Sequence, residues 1–355
     1  MKKPDGFTRE SSQIAKGVGI LWLLFFHLFA EEGVLEQMSV SYRPFSEEGF
    51  RMAAAFGKIC VAIFVVLSSY GITKGIIDKG SDLKESMSQA FKRFLKLMGG
   101  FVALYVSVLA VFGWKFDLKG LYGEAPQGIL YFLADGLGLA ESFKTPTLNG
   151  TWWYMNLAYA LVLLIPFGAC LVKKAGYGVI AVAFFIPIIF SVNYDTEHYL
   201  FSAAIGVAAA YGDWFEKFLK VKLNIILKWV IGIVGTVLCV FARHNAVVSE
   251  HFFAVTDALI AVFIIWTAAE LIASVPVLRD VIGFIGKHSL NIFLVHSFFF
   301  LIVLRDVVYH FSPAGVTYLI LLAMSFGYSV VLELLKHFIV MGYKTLRGGK
   351  GVTNE

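Results

Sequence analysis

His27 stands in Gly19-Ile-Leu-Trp-Leu-Leu-Phe-Phe-His27-Leu-Phe, walled by bulky apolar side chains. Burial disfavours the imidazolium cation, so a ring in such surroundings is held neutral, the form a general base needs. Glu31 follows four residues later on the same helical face and is suited to orient the ring. The competing reading is a histidine that only hydrogen-bonds a neighbouring helix for packing. Lys16 precedes His27 by eleven residues, which is three helical turns and about 16 Å of axis. One helix face therefore carries a cation toward one end and a base toward the other, the two ends of a passage. The plain reading of Lys16 is a lysine snorkelling to the membrane interface.

A second basic group is Lys92, Arg93 and Lys96. Arg93 and Lys96 are three apart and share a helical face, which suits the oxygens of a phosphate or diphosphate. Anchoring at the inner membrane surface accounts for the same residues. His296 lies in Gly286-Lys-His-Ser-Leu-Asn-Ile-Phe-Leu-Val-His296-Ser, about 12 Å into an apolar run if that run begins at His288. Asn291 and Ser289 add polar groups to the same helix. Thr151-Trp152-Trp153-Tyr154 opens another apolar run. Its aromatics form either an interfacial belt or a platform for sugar rings. Cys60, Cys170 and Cys239 are all set in apolar runs, without a CxxC or Cys/His cluster. They imply neither a disulfide framework nor a metal site.

The elements that must position these groups are membrane helices. Of 355 residues, 58% are apolar and 15% charged, and mean hydropathy is +0.75. Soluble domains carry about 45–50% apolar and about 25% charged residues. A secreted soluble enzyme, a disordered chain and a soluble nucleic-acid binder are poor fits. Since about 20 apolar residues cross a bilayer core, ten runs qualify: 13–30, 52–74, 94–113, 152–172, 177–192, 198–212, 224–242, 251–273, 288–309 and 315–341. The fifth and sixth are short. The stretch 126–143 is interrupted by Asp135, three glycines and Glu141, and reads as a re-entrant or surface helix. The first run lacks a small-residue cleavage site and reads as a retained span.

With both termini cytoplasmic, this layout puts 22 of the 30 Lys and Arg residues on the cytoplasmic side, as the positive-inside rule requires. The +5 net charge is thereby a matter of topology, and no nucleic-acid partner is expected. The expected protein is all-α and polytopic. It is one membrane-embedded domain over 1–355, with cytoplasmic tails at 1–12 and 344–355, housed in a cell membrane and most naturally a bacterial inner one. Two long outer connections, acidic 31–51 and Gly-, Pro- and aromatic-rich 114–151, are candidates for a lid or a binding surface.

Five segments in order resemble acyltransferase family 3, integral membrane O-acyltransferases that modify bacterial glycans and related molecules. They are Ala15-Lys-Gly-Val-Gly-Ile with His27, Gly57 to Gly71 around Leu67-Ser-Ser-Tyr70, Phe91-Lys-Arg-Phe-Leu-Lys96, Asn149-Gly-Thr-Trp-Trp-Tyr-Met155, and Gly286 to His296. The resemblance implies that His27 is catalytic, with Lys16 where the family usually carries arginine; Glu31, from its place on the same helical face, is the further catalytic candidate. Lysine keeps the charge but lacks the bidentate fork. Arg93 and Lys96, with Lys92 and Lys16, would bind the donor, Lys96 again replacing a usual arginine. In the Leu67–Tyr70 segment, Ser69 stands in place of a glycine. Trp152, Trp153, Tyr154, Tyr70, His296 and Asn291 are the candidate substrate contacts.

The implied reaction moves an acyl group, most simply acetyl from acetyl-CoA, from cytoplasmic acyl-CoA to a hydroxyl of an extracytoplasmic or lipid-linked glycan. His27 would act as general base or carry the acyl group transiently. No metal and no permanently bound cofactor are expected, the partners are acyl-CoA, the acceptor and the bilayer, and a homo-oligomer is left open. The alternatives are a secondary transporter or flippase using the same polar residues, and a membrane sensor or structural subunit.

Overall fold

A computed structural model describes residues 6–30, 40–190, 197–244 and 252–348. They form a helical bundle. Among them there is no β-strand, and an isolated bridge pairs Ser41 with Pro313. The main helices are α1 (Arg9–Phe29), α2 (Cys60–Lys79), α3 (Leu83–Phe112), α4 (Gln127–Gly136), α5 (Trp153–Ala175), α6 (Gly178–Phe190), α7 (Leu200–Gly212), α8 (Ile225–His244), α9 (Phe253–Glu270), α10 (Pro276–Lys287), α11 (Ser289–Ser297) and α12 (Ala314–Gly348). Seven helical stretches are long and apolar enough to cross a membrane, and the bent pair α10–α11 makes an eighth. The two short runs appear as the 13-residue helices α6 and α7.

Several ends differ from the hydropathy reading. Helix α1 starts at Arg9 because Thr8 caps it. The Thr8 hydroxyl accepts from Ser11 N–H at 3.3 Å, and the Ser11 hydroxyl accepts from Thr8 N–H at 3.3 Å. Helix α3 starts at Leu83, where Asp82 accepts from Glu85 N–H at 2.7 Å. Its 30 residues rise about 45 Å, more than a bilayer core needs. Arg93 and Lys96 thus lie between a third and a half of the way along a helix, not at its opening. The stretch 126–143 is the ten-residue α4 and a short turn at Ala140–Phe143, too short to span. The ninth run is no straight helix: after α11 the chain winds into a π-turn at Phe298–Ile302, and at its start α11 meets the preceding α10 at 62° around His288.

Helix α1 is central and packs on α2, α9, α10, α11 and α12. Its contact with α10 depends on glycine. A Cβ on Gly17 would lie 2.1 Å from the Ile282 carbonyl oxygen, and one on Gly286 would lie 1.8 Å from the Gln13 oxygen. Small residues let membrane helices approach backbone to backbone. That approach sets Lys16 of α1 near the C-terminal end of α10, where Lys287 sits.

Candidate functional site

A cavity of about 640 Å³ opens among α1, α2, α3, α5, α11 and α12. Its lining includes Lys16 from α1, Arg93 and Lys96 from α3, Lys287 from the end of α10 and Lys336 from α12. Glu333 of α12 is the carboxylate in that lining, and it is already engaged. It accepts from Asn291 Nδ2 at 2.8 Å and pairs with Lys336 at 2.9 Å. Lys16, Arg93, Lys96 and Lys287 have no carboxylate partner among the described residues. Like charges gathered beside a low-dielectric wall repel one another, and an anion carrying several charges relieves that repulsion.

The wall of α2 is built for room. Ser68, Gly71 and Ile72 line the cavity, and a Cβ on Gly75 would lie 3.2 Å from the Arg93 guanidinium. Gly71 and Gly100 face open space. Away from the cations the lining turns apolar, through Phe64, Phe101, Tyr154, Met155 and Leu294. It ends there, and neither His27 nor His296 is part of it.

The histidines lie just beyond Leu294. Their ring centroids are 4.8 Å apart with planes at 44°, and Phe300 packs on both rings. His27 is partly exposed, whereas His296 is fully buried. His296 Nδ1 lies 2.7 Å from the Phe293 carbonyl oxygen, and its Nε2 is buried with no hydrogen-bond partner among the described residues.

What holds α11 there is the Asn149–Trp152 segment. Asn149 Oδ1 accepts from Ser297 Oγ at 2.9 Å, from Thr151 Oγ1 at 2.9 Å and from Thr151 N–H at 3.0 Å. Asn149 Nδ2 donates to the Leu294 carbonyl at 3.3 Å, and Trp152 Nε1 donates to the same oxygen at 2.9 Å. Two donors thus fix the α11 backbone two residues before His296.

This segment is held in turn by Asp135, which is buried. Its Oδ2 accepts from Leu148 N–H at 2.8 Å and from the Tyr122 hydroxyl at 2.6 Å, and Tyr122 meets the Tyr105 hydroxyl at 3.1 Å. Burial pushes the Asp135 carboxyl above the ordinary aspartate range, partly offset by these hydrogen bonds. Burial also pushes the Tyr122 hydroxyl upward, reinforced by its bond to Asp135.

The predicted site residues separate accordingly. Lys16, Arg93, Lys96, Tyr154 and Asn291 line one cavity, while His27 and His296 form a pair beyond it. Lys92 is exposed and outside that lining. Trp152 offers no open sugar platform, because it is buried and its indole N–H is committed to Leu294. Trp153 stacks on Tyr199 at 6.3 Å. Tyr70 packs between Phe7 and Phe215, at 5.2 and 5.1 Å, outside the cavity lining. Glu31 lies outside the described residues. Sequence reasoning missed Lys287, Lys336, Glu333, Asn149 and Asp135. Lys287 and Asn149 stood within quoted segments, and Asp135 stood out as a carboxylate in an apolar stretch.

A family model described as an acyltransferase domain, that of acyltransferase family 3, matches residues 9–334. Comparison with curated proteins and with solved structures returned no match.

Proposed function

The chain belongs to acyltransferase family 3 and is a multi-pass membrane acyltransferase; from that premise we propose that it carries an acetyl or similar acyl group from acyl-CoA to a hydroxyl across the membrane. The observation that carries this reading is the cavity in which four cations, without carboxylate partners among the described residues, face one occupied carboxylate. CoA bears a diphosphate and a further phosphate, and such a multiply charged group suits Lys16, Arg93, Lys96 and Lys287. The lysine-rich end is then the cytoplasmic one, in a bacterial inner membrane.

The thioester arm would enter at the cations and run along the apolar lining toward Leu294. His27, partly exposed beyond it, would take the proton of the acceptor hydroxyl as that oxygen attacks the thioester carbonyl. The carbon–sulfur bond breaks, and the proton passes to the leaving thiolate, giving the ester and CoA thiol. The acceptor in this reading is an extracytoplasmic or lipid-linked glycan.

The test is acetyl-CoA binding and CoA-thiol release by the full chain in nanodiscs. We expect saturable binding, weakened about tenfold or more in Arg93→Ala, and thiol release lost in His27→Ala while binding persists. Acetyl-CoA binding that is absent, or indifferent to Arg93, would overturn the donor assignment. A fully active His27→Ala would overturn the base. Flux of a solute into liposomes without any acyl donor would favour a transporter instead.

A further inference from the structure

The tautomer of His296 follows from its partner. A carbonyl oxygen can only accept, so the 2.7 Å contact with Phe293 O requires the hydrogen on Nδ1. In the neutral ring Nε2 is then bare, a lone pair and not a donor. That atom is fully enclosed, and no described group donates to it. A buried acceptor left unpaired carries its desolvation cost without the hydrogen bond that would offset it. Yet the surroundings hold His296 in place, through the carbonyl bond on one side, the Asn149 and Trp152 clamp on Leu294, and a stacked Phe300 ring at 5.7 Å. The His27 ring lies beside it at 4.8 Å between centroids, a separation at which nitrogens on facing ring edges come within hydrogen-bond reach.

We propose that His296 is the positioning residue for His27, its bare Nε2 accepting a hydrogen bond from the His27 ring N–H that faces it. That bond fixes the His27 tautomer whose other nitrogen is bare and can receive the proton of the acceptor hydroxyl. It also spreads the positive charge of His27 while the proton is held, before that proton leaves with the thiolate. No proton is gained or lost by His296 over the cycle. In His-carboxylate pairs an anion orients the base. His296, a neutral imidazole locked by a backbone carbonyl, supplies an orienting acceptor that adds no negative charge at a buried position.

This inference rests on the acyltransferase reading, and its test separates the two. Acetyl-CoA is the probe, and the full chain in nanodiscs is used throughout. His296→Leu keeps the volume and removes the unpaired nitrogen. A packing role would leave that variant as active as the wild type. As a positioning residue, its loss lowers kcat roughly 100-fold with KM for acetyl-CoA changed less than twofold. His296→Gln restores an acceptor oxygen and recovers about tenfold of that loss. The double variant His27→Ala, His296→Leu is no slower than His27→Ala alone, because residues acting as a unit are not additive.

An ¹⁵N-histidine spectrum gives a reading independent of turnover. The wild type shows a protonated-Nδ1, bare-Nε2 ring that disappears in His296→Leu, and the His27 resonances move with it. A His296→Leu enzyme within threefold of wild-type kcat, a loss that adds to that of His27→Ala, or an Nε2-protonated His296 overturns the proposal. If the wild type releases no CoA thiol, the donor reading fails, and the spectrum still decides the histidine pair.

Discussion

The α8–α9 hairpin and the cavity wall treat charge in opposite ways. In the α8–α9 hairpin every described buried charge is matched. Lys228 pairs with Glu270 at 2.9 Å, with side chains 8% and 4% exposed. Near the other end of α9, Asp257 meets Arg243 Nε at 2.7 Å and His198 Nε2 at 3.2 Å. Around α1 and α11 the account is left open. Four cations, Lys16 and Arg93 half-buried and Lys96 and Lys287 exposed, line a cavity without a carboxylate partner among the described residues, and buried His296 Nε2 has no hydrogen-bond partner among them. Paired charges hold helices together in a medium that punishes unpaired ones. Unpaired charges are retained where a ligand completes them, so pairing separates the scaffold from the site more sharply than residue type does.

The largest effect should come from breaking a pair. Glu270→Leu leaves Lys228 buried and alone and should cost about 3–5 kcal/mol of stability, whereas Lys228→Met with Glu270→Leu should recover most of it. Thermal unfolding in detergent checks both. Equal loss in the single and double variants would mean that the pair is not the stabilising unit.

The converse is to complete the cavity. Ser12 lines it one helical turn before Lys16, so Ser12→Asp should pair that lysine and weaken acetyl-CoA binding about tenfold, or about 1.4 kcal/mol, by titration calorimetry. Unchanged affinity would remove Lys16 from the donor site. Smaller still, Lys287→Met and Lys336→Met should each raise KM for acetyl-CoA severalfold and flatten its salt dependence.

The smallest effect concerns Asp135. Its carboxyl is raised in the fold, so the stability it lends is full below the ordinary value of 3.8 and is lost as pH rises through the higher folded value. Asp135→Asn keeps an oxygen for Leu148 N–H and the Tyr122 hydroxyl but carries no charge. Its unfolding temperature should therefore exceed that of the wild type at neutral pH and converge with it in acid. A gap that widens in acid would reverse the assignment.

Composition and periodicity determined the membrane class, the helical fold and most of the spans, because a bilayer demands long apolar helices and admits few alternatives. The eleven-residue spacing of Lys16 and His27 was legible for the same reason, since one helix fixes both positions. The shared helical face of Arg93 and Lys96 was legible too, and both residues line the cavity. What the sequence could not set was anything that depends on how one helix crosses another. The approach of α1 to α10 through Gly17 and Gly286 brings Lys287 to Lys16. The bend at His288 turns His296 toward His27, and the Asn149 clamp reaches across 145 residues to the Leu294 carbonyl. Trp152 read as an interfacial belt residue or a sugar platform from its place at a span end, and only the tertiary structure shows it buried, with its indole spent on a backbone oxygen. Hydropathy is a property of a segment, while a site between helices is made by contacts distant in sequence, and those belong to the tertiary structure alone.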